Sequence, residues 1–288
     1  MKKTDRNSLI SFIVVILIGS GIALAGSQSG SSFFGIPLFA SLVGLIFLIQ
    51  WLAFIPAYLF QTEKFYDVTG SFTFIFVTII AVVLNPIVDG RSILLSILVV
   101  IWALRLGSFL VLRVHKEGKD SRFDVIKPSF IRFLNAWTIQ ALWVTITSLA
   151  ALIAINTTTR KELGVFALIG FIMWILGFVF EVVADTQKSR FRSNPKNKGK
   201  FINSGLWAHS RHPNYFGEIM LWIGIVVIAL PILEGWLWVC LISPIFVTLL
   251  LTRVSGIPML EKASDKKWSG QVDYEAYKEN TPVLIPRL

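Results

Sequence analysis

Apolar residues along this chain gather into eight long runs, and short polar stretches separate them. The hydrocarbon core of a bilayer is about 30 Å thick and needs about 20 apolar residues per helix, so runs of this length predict transmembrane helices. We therefore predict an all-α fold, a polytopic bundle of about eight transmembrane spans. Their approximate ranges are residues 9–26, 34–60, 70–88, 92–112, 133–155, 163–184, 214–232 and 235–252.

The amino-acid composition supports the same class. Of the 288 residues, 55% are hydrophobic and 15% are charged, and the mean hydropathy is +0.70. Soluble domains carry about 25% charged residues, so a soluble enzyme, a secreted disulfide scaffold and a disordered protein are excluded. The single cysteine, Cys240, lies inside an apolar run, which excludes an intramolecular disulfide and a thiolate metal cluster. We expect no metal site.

The basic residues predict the orientation of the chain. Twenty-three of the 27 lysines and arginines lie on the amino terminus, on alternate loops and on the carboxy-terminal segment, whereas the other loops hold only Arg91, Arg160 and Lys161. Lysine and arginine are enriched on cytoplasmic loops, so both termini and the loops 113–132 and 188–212 are predicted to be cytoplasmic. Orientation explains much of the net charge of +10 without a nucleic-acid partner.

Ionisable and polar residues in or beside the spans are candidates for function, because burying them in lipid is costly. Arg105 and Arg113 are eight residues apart, so they fall close to one helical face. Two later helices carry polar pairs four residues apart, and these helices can converge on one polar pocket. The residues are Glu181 and Asp185, continued by Lys188 and Arg192, and then Asn214 and Glu218.

Plainer interpretations exist for several of these residues taken alone. Arg113 is equally well explained as a cation at a helix end whose charged tip reaches the membrane surface. Glu181 and Lys188 are also compatible with an interfacial ion pair. The tryptophans are more often packing or membrane-interface residues than a stack against a cofactor.

The segment Gly205–Glu218 is the most specific pattern. Pro213 suits the first turn of a helix, because its missing N–H would have no partner there, and Ser210 can accept from nearby amides. The exposed N–H groups at such a helix start, beside Arg211 and His212, favour an anion or a phosphate. Gly217 permits close approach of another helix or a ligand.

With these residues in view, the chain resembles bacterial membrane proteins that carry the steroid 5α-reductase C-terminal domain. More distantly, its Arg-His-Pro turn is similar to isoprenylcysteine carboxyl methyltransferases. The resemblance covers roughly residues 65–288, which we treat as a catalytic domain after amino-terminal helices at 1–64. It is carried by Trp102-Ala-Leu-Arg105, Asp120-Ser-Arg122-Phe123, Ala184-Asp185-Thr-Gln-Lys188, Gly205-Leu-Trp207, Ser210-Arg-His-Pro-Asn-Tyr-Phe-Gly-Glu218, Arg253-Val-Ser-Gly-Ile-Pro-Met-Leu-Glu261 and Tyr274-Glu-Ala-Tyr277.

The resemblance implies an NADPH-dependent reductase in a multi-pass protein of the bacterial cytoplasmic membrane. Asp185, Arg192, Asn214 and Glu218 fall where the steroid reductases contact NADPH, and Arg105 and Arg253 match further basic contacts. Arginines pair well with phosphates, and amide and carboxylate groups with ribose and carboxamide. The remaining residues that we expect to bind the cofactor are Arg113, Lys188, Arg211, His212 and Tyr215.

The implied reaction is hydride transfer to an activated C=C bond of a lipophilic substrate, such as a steroid, another isoprenoid or a lipid, that enters from the bilayer. It needs a donor for the developing oxyanion. We expect that donor among Glu63, Tyr66 and Asp67, although a plain hydrophilic loop explains them equally well. The chain departs from the steroid enzymes at Trp102, which stands where those enzymes carry a tyrosine.

Two other functions stay open on the sequence alone. One is methyl transfer from S-adenosylmethionine, which the shared Arg-His-Pro turn suggests. The other is a transporter or a non-catalytic membrane scaffold, although the sequence contains no inverted repeat of the kind that many transporters carry. The identity of the substrate and the oligomeric state are not encoded in any pattern that we recognise.

Overall fold

The computed structural model describes the backbone of residues 3–117 and 123–287, and the side chains of 3–112 and 123–287. Within these residues the fold is almost entirely helical, and eight helices are long and apolar enough to cross a membrane. The predicted all-α polytopic bundle is confirmed. The helices are α1 Lys3–Gly26, α2 Leu38–Leu59, α3 Tyr66–Leu84, α4 Gly90–Glu117, α5 Phe130–Asn156, α6 Val165–Ser193, α7 Pro213–Ala229, α8 Ile242–Leu249, α9 Ile257–Trp268 and α10 Val272–Asn280.

Two of the predicted spans, the second and the last, contain backbone that is not regular α-helix. A short antiparallel hairpin, β1 Ser32–Phe33 and β2 Ile36–Pro37, occupies the expected start of the second span. The last span is not one regular helix: a 3-10 segment precedes α8, and a π-helical turn at Leu250–Val254 follows it. A Cβ at Gly256 would collide with the Leu251 carbonyl, so glycine is needed where this turn passes into α9.

The chain divides into two compact units, and the first comprises Met1–Gly164 and Ala229–Ser243. Its centre is α5, because 83% of the apolar window of that helix is buried, against 22–56% for the other spans. Polar side chains hold its helices together at membrane depth. Gln50 Nε2 donates to Thr73 Oγ1 at 2.8 Å, and Trp51 Nε1 donates to Thr138 Oγ1 at 3.0 Å.

The three basic residues on the loops predicted to be non-cytoplasmic belong to one cluster in this unit. The Arg91 side chain is 1% exposed and donates to the carbonyl oxygens of Lys161 and Glu162. Arg160 lies 3.4 Å from Asp89 and donates to the Ile87 carbonyl. Both arginines therefore hold loops together, which is a structural reason for basic residues on loops that are predicted to be non-cytoplasmic.

The second unit comprises Val165–Ile228 and Pro244–Leu288. Its helices α6 and α7 touch backbone to backbone at two pairs of glycines, Gly177 with Gly217 and Gly170 with Gly224. A Cβ at Gly217 would lie 2.5 Å from the Gly177 carbonyl oxygen. The close approach that we predicted at Gly217 is thus confirmed. Helix α6 also continues past the expected end of its span to Ser193, so Lys188 and Arg192 extend its polar strip.

Candidate functional site

The site in the second unit is built on a loop that is anchored to the end of α6. Gly205 adopts φ +62°, a conformation that favours glycine, and it starts the short 3-10 turn Gly205–Ala208. The Gln187 side chain accepts from the Leu206 N–H at 2.9 Å, and Trp207 Nε1 donates to the Ala184 carbonyl at 3.0 Å. These bonds fix the approach of the chain to α7.

The carboxy-terminal tail clamps the same loop. The Arg211 N–H donates to the Pro282 carbonyl at 2.9 Å, and Ser210 Oγ donates to the Leu284 carbonyl at 2.8 Å. The Arg287 N–H donates to the His209 carbonyl at 3.0 Å. Ser210 Oγ also accepts from the His212 N–H at 3.2 Å, as we expected of it, and α7 begins at Pro213 as predicted. The start of α7 is therefore held by the end of α6 and by the carboxy-terminal tail.

Helices α6 and α7 bring two predicted residues together. Asn214 Nδ2 donates to Asp185 Oδ1 at 3.1 Å, which confirms that the polar strips of these helices converge. Asn214 Oδ1 is buried and has no hydrogen-bond partner among the described residues. Glu181 is buried one turn before Asp185, and Glu218 is half-buried one turn after Asn214. The buried Asn214 oxygen is an acceptor to which a hydroxyl or amide N–H can donate.

Arg211 and His212 share one carboxylate, Glu261 of α9. Arg211 donates to Glu261 Oε2 at 2.7 Å, and His212 Nε2 lies 2.8 Å from Glu261 Oε1. Burial lowers the pKa of His212, although the hydrogen bond and the charge of Glu261 oppose that shift. His212 is then neutral near pH 7 and donates from Nε2, which leaves the buried Nδ1 as an acceptor without a partner in the described chain.

The low pKa of His212 predicts how stability depends on pH. An unfolded histidine has a pKa near 6.5, so acidification below that value protonates the unfolded chain before the folded one. Stability is fully present above this pH and decreases as the pH falls toward the lower folded-state pKa. We expect the melting temperature to fall less between pH 7.5 and 5.5 in His212→Gln than in the wild type. His209→Gln serves as the exposed control, and equal slopes in all three proteins would contradict the prediction.

Arg211, His212 and Glu261 line a cleft in the second unit with a cavity volume of about 140 Å³. Four predicted residues line it, namely Lys188, Arg192, Arg211 and His212. Lys188 Nζ lies 4.5 Å from the centroid of the Trp207 ring, and it is near enough to Arg192 and Asp185 for their charges to interact. Lys188 thus connects the cleft with the Asp185–Asn214 pair.

Three other residues that we predicted to bind the cofactor do not line the cleft. Tyr215 stacks on His212 with the ring planes 8° apart, and Arg253 is exposed on the π-helical turn. Arg105 belongs to the first unit, where its guanidinium lies 5.5 Å from the Phe109 ring centroid. The side chain of Arg113 lies outside the described residues, as does part of the loop 113–132.

The three candidate catalytic residues are all in the first unit, near the start of α3. Glu63 is buried, and its carboxylate lies 2.5 Å from Lys127 Nζ, an interaction that raises the pKa of Lys127. The Tyr66 hydroxyl donates to the Ala136 carbonyl at 2.9 Å. Asp67 lies in the first turn of α3, where a negative charge is favourable. Their role as proton donors stays a prediction.

Some residues of the cleft did not emerge from the sequence as candidates. Glu261 is the acid that holds Arg211 and His212, and Lys200 and Lys267 add cations to the lining. The hydrogen bond from Trp268 Nε1 to the Gly199 carbonyl, 2.7 Å long, joins the segments of those two lysines. The aromatic residues at and near Trp268 and Tyr274 were the one signal in the sequence that could have pointed to this part of the cleft.

The structure therefore defines a multi-pass helical membrane protein with a cationic cleft beside polar residues of two helices. Residues 53–281 match the protein family described as "Protein of unknown function (DUF1295)". The chain belongs to this family, which is steroid 5α-reductase-like. The match includes all of the site residues named above except the last residues of the tail.

Curated proteins match only over short stretches. A probable 7-dehydrocholesterol reductase of Acanthamoeba polyphaga mimivirus is 34% identical over 82 residues, which cover 23% of this chain and 18% of that protein. The probable O-methyltransferase ustE of Ustilaginoidea virens is 46% identical over 46 residues, 16% of each chain. The present chain thus spans less than a fifth of the length of these relatives. No solved structure matches it.

Proposed function

We propose that the protein is an NADPH-dependent reductase of a lipophilic substrate, and that it acts in the bacterial cytoplasmic membrane. The observation that carries the proposal is the arrangement of polar groups in the second unit. Asp185 is hydrogen-bonded to Asn214, whose amide oxygen is buried, and Lys188 and Arg192 follow Asp185 along α6 and line a cleft. The resemblance to a probable 7-dehydrocholesterol reductase supports the reaction class.

The available groups fit such a cofactor. Asn214 Oδ1 and His212 Nδ1 are buried acceptors that lack partners among the described residues, so they suit the hydroxyl and amide donors of the ribose and carboxamide. The lysines and arginines of the cleft suit phosphates. A volume of about 140 Å³ is smaller than the roughly 300–1,000 Å³ of most ligand pockets, so the cleft would hold one end of the molecule.

NADPH would supply a hydride to one carbon of an activated C=C bond, and a proton must then reach the other carbon or the conjugated oxygen. The chain must therefore contribute a proton donor. Tyr66 retains the hydroxyl proton that this role needs, whereas Glu63, as long as its carboxylate is ionised beside Lys127, accepts hydrogen bonds and does not donate them. Of the Glu63 and Tyr66 side chains in the first unit, the Tyr66 hydroxyl is accordingly the one that can donate a proton.

A methyltransferase is the second candidate, because a probable O-methyltransferase matches 46 residues. S-adenosylmethionine carries a positively charged sulfonium and no phosphate. Five cations and one acid, Glu261, line the cleft, and this balance favours an anionic ligand. Nothing in the described residues specifically favours a transporter or a scaffold.

The test is the thermal unfolding of the full chain in detergent with and without NADPH. A ligand that binds the folded state at 100 times its Kd stabilises it by about 2.7 kcal/mol, so a clear rise in melting temperature is expected. Asn214→Ala removes the buried amide oxygen that would accept from the cofactor, and it should reduce that rise by about half. Asn280→Ala, at an exposed position of α10, is the control. No NADPH effect on the wild type, together with stabilisation by S-adenosylmethionine, would reverse the ranking of the two candidates.

A further inference from the structure

One face of helix α6 changes from apolar to polar where the helix leaves the predicted span. Residues three or four positions apart share a helical face. On this face lie Ile172, Leu176, Val179 and Val183, then Gln187 and Arg190, with Asn194 directly after the helix. The four apolar side chains are 38–50% exposed, so they face the acyl chains of lipid. From Ile172 to Val183 they extend over about 16 Å, which matches the roughly 15 Å of hydrocarbon in one leaflet.

The polar part of this face lies at the level of the lipid headgroups. The predicted span ends at Ala184, and an α-helix rises about 1.5 Å per residue, so Gln187 and Arg190 stand about 5 and 9 Å farther out. The headgroup layer is about 5–8 Å deep. Helical side chains also lean toward the amino-terminal end of their helix, which here means toward the bilayer. Both side chains can therefore reach a headgroup.

A groove of about 390 Å³ opens beside these residues, and hydrogen-bond donors line it. Its polar lining consists of Gln187, Arg190, Asn194, Asn197 and Ser204. The Gln187 amide oxygen accepts from the Leu206 N–H at 2.9 Å, and the Asn194 amide oxygen accepts from the Lys196 N–H at 3.0 Å. The NH₂ groups of these two amides donate to no residue that the structure describes, so they are available to a ligand.

The charge around the groove is positive. Between Asp185 and Glu218 the chain contains seven lysines and arginines and no acidic residue. Asp185 itself lies on another face of α6, where it accepts from Asn214. Arg190 is exposed and forms no ion pair with any residue in the described ranges. Basic residues directly after a transmembrane helix attract anionic lipids, and an arginine pairs well with a phosphate.

We propose that this face of α6 and its groove bind one anionic phospholipid of the cytoplasmic leaflet. An acyl chain lies along the apolar part, and Arg190 and the two amides hold the phosphate. Phe191 and Ile202 line both the groove and the cleft, so they form a wall between the two. The lipid site is therefore separate from the cleft and does not depend on the proposed reductase function. A free phosphate lacks an acyl chain and gains nothing from the apolar part.

The experiment is native mass spectrometry of the full-length protein in detergent, after removal of co-purified lipid, and it measures the dissociation constant of the first lipid bound. The anionic probe is dioleoylphosphatidylglycerol, and the zwitterionic probe with the same chains is dioleoylphosphatidylcholine. We expect the wild type to prefer the anionic lipid about tenfold. Arg190→Ala should weaken binding of that lipid about tenfold and leave phosphatidylcholine unchanged. Lys198→Ala, which removes an exposed cation outside the groove lining, should match the wild type.

Two soluble competitors identify the ligand and the site. Glycerol 3-phosphate carries the phosphate without acyl chains, and in 100-fold excess over the lipid it should leave the phosphatidylglycerol bound. Displacement would indicate a site for free phosphate and overturn the inference. NADPH should also leave the lipid bound, and its displacement of the lipid would assign the groove to the cofactor. A protein that binds the lipid through Arg190 and does not bind NADPH would refute the reductase function and support the lipid site.

The lipid titrations contradict the proposal in three further cases. Equal affinity of the wild type for the two lipids would show that the groove does not recognise charge. Equal losses in Arg190→Ala and Lys198→Ala would indicate attraction by the whole basic surface and not by a site. Unchanged binding of phosphatidylglycerol to Arg190→Ala would remove the arginine from the contact.

Discussion

Replacing Gly217 with leucine is expected to prevent helices α6 and α7 from packing and to leave a chain that aggregates when it is extracted from the membrane. A Cβ at this position would lie 2.5 Å from the Gly177 carbonyl oxygen and 2.7 Å from the Glu181 nitrogen. Both are backbone atoms, which cannot rotate away as a side chain does. Overpacking a well-packed contact costs about 1–3 kcal/mol and sometimes more, and leucine adds three further carbons.

Size-exclusion chromatography in detergent and a melting curve measure this effect. Gly44→Leu is the matched control, because Gly44 is an exposed glycine of α2, and a Cβ added there would meet no atom within 4 Å. A monodisperse Gly217→Leu protein that melts with the control would contradict the backbone contact between α6 and α7.

Glu261→Ala is expected to have the second largest effect, a loss of about 2 kcal/mol of stability. Removing the carboxylate leaves Arg211 and His212, which are 13% and 5% exposed, without the acid that both contact. Breaking a buried ion pair costs about 3–5 kcal/mol, and partial exposure of Glu261 reduces that figure. The melting temperature should therefore fall clearly, with Glu261→Gln in between because its amide oxygen still accepts one hydrogen bond.

The control for this prediction is Glu279→Ala, which removes the same chemical group from an exposed position of α10. Its melting temperature should stay within error of the wild type, because exposed substitutions away from special contacts have small effects. If Glu261→Ala melts with Glu279→Ala, the pairing with Arg211 and His212 contributes nothing to the stability of the second unit.

The features that follow from local periodicity could be predicted from the sequence. Apolar runs located the spans, since their lengths are set by the bilayer, and the four-residue spacing of polar residues on α6 and α7 anticipated the contact of Asp185 with Asn214. Pro213 located the start of α7 because a proline lacks the N–H that a first turn leaves unused. The role of Gly217 followed from its lack of a side chain.

Features that depend on contacts between distant segments were out of reach. Glu261 meets Arg211 across 50 residues of chain, and no spacing rule connects a loop residue with a helix so far away. The π-helical turn at Leu250–Val254 contains neither glycine nor proline, so no helix-breaking residue in the sequence reveals it. The tail binds His209 and Arg211 mainly through backbone groups, which every sequence has.

The clamp formed by the tail also orders the events of biosynthesis. All eight spans leave the ribosome before Pro282 and Arg287, which close on the loop at His209–Arg211. Membrane insertion can therefore be complete while the start of α7 is still without these bonds. A released chain that ends near residue 281 keeps all eight spans and lacks the backbone groups of Pro282 and Arg287, so we expect it to insert into the membrane and yet hold its cleft in an unfinished form.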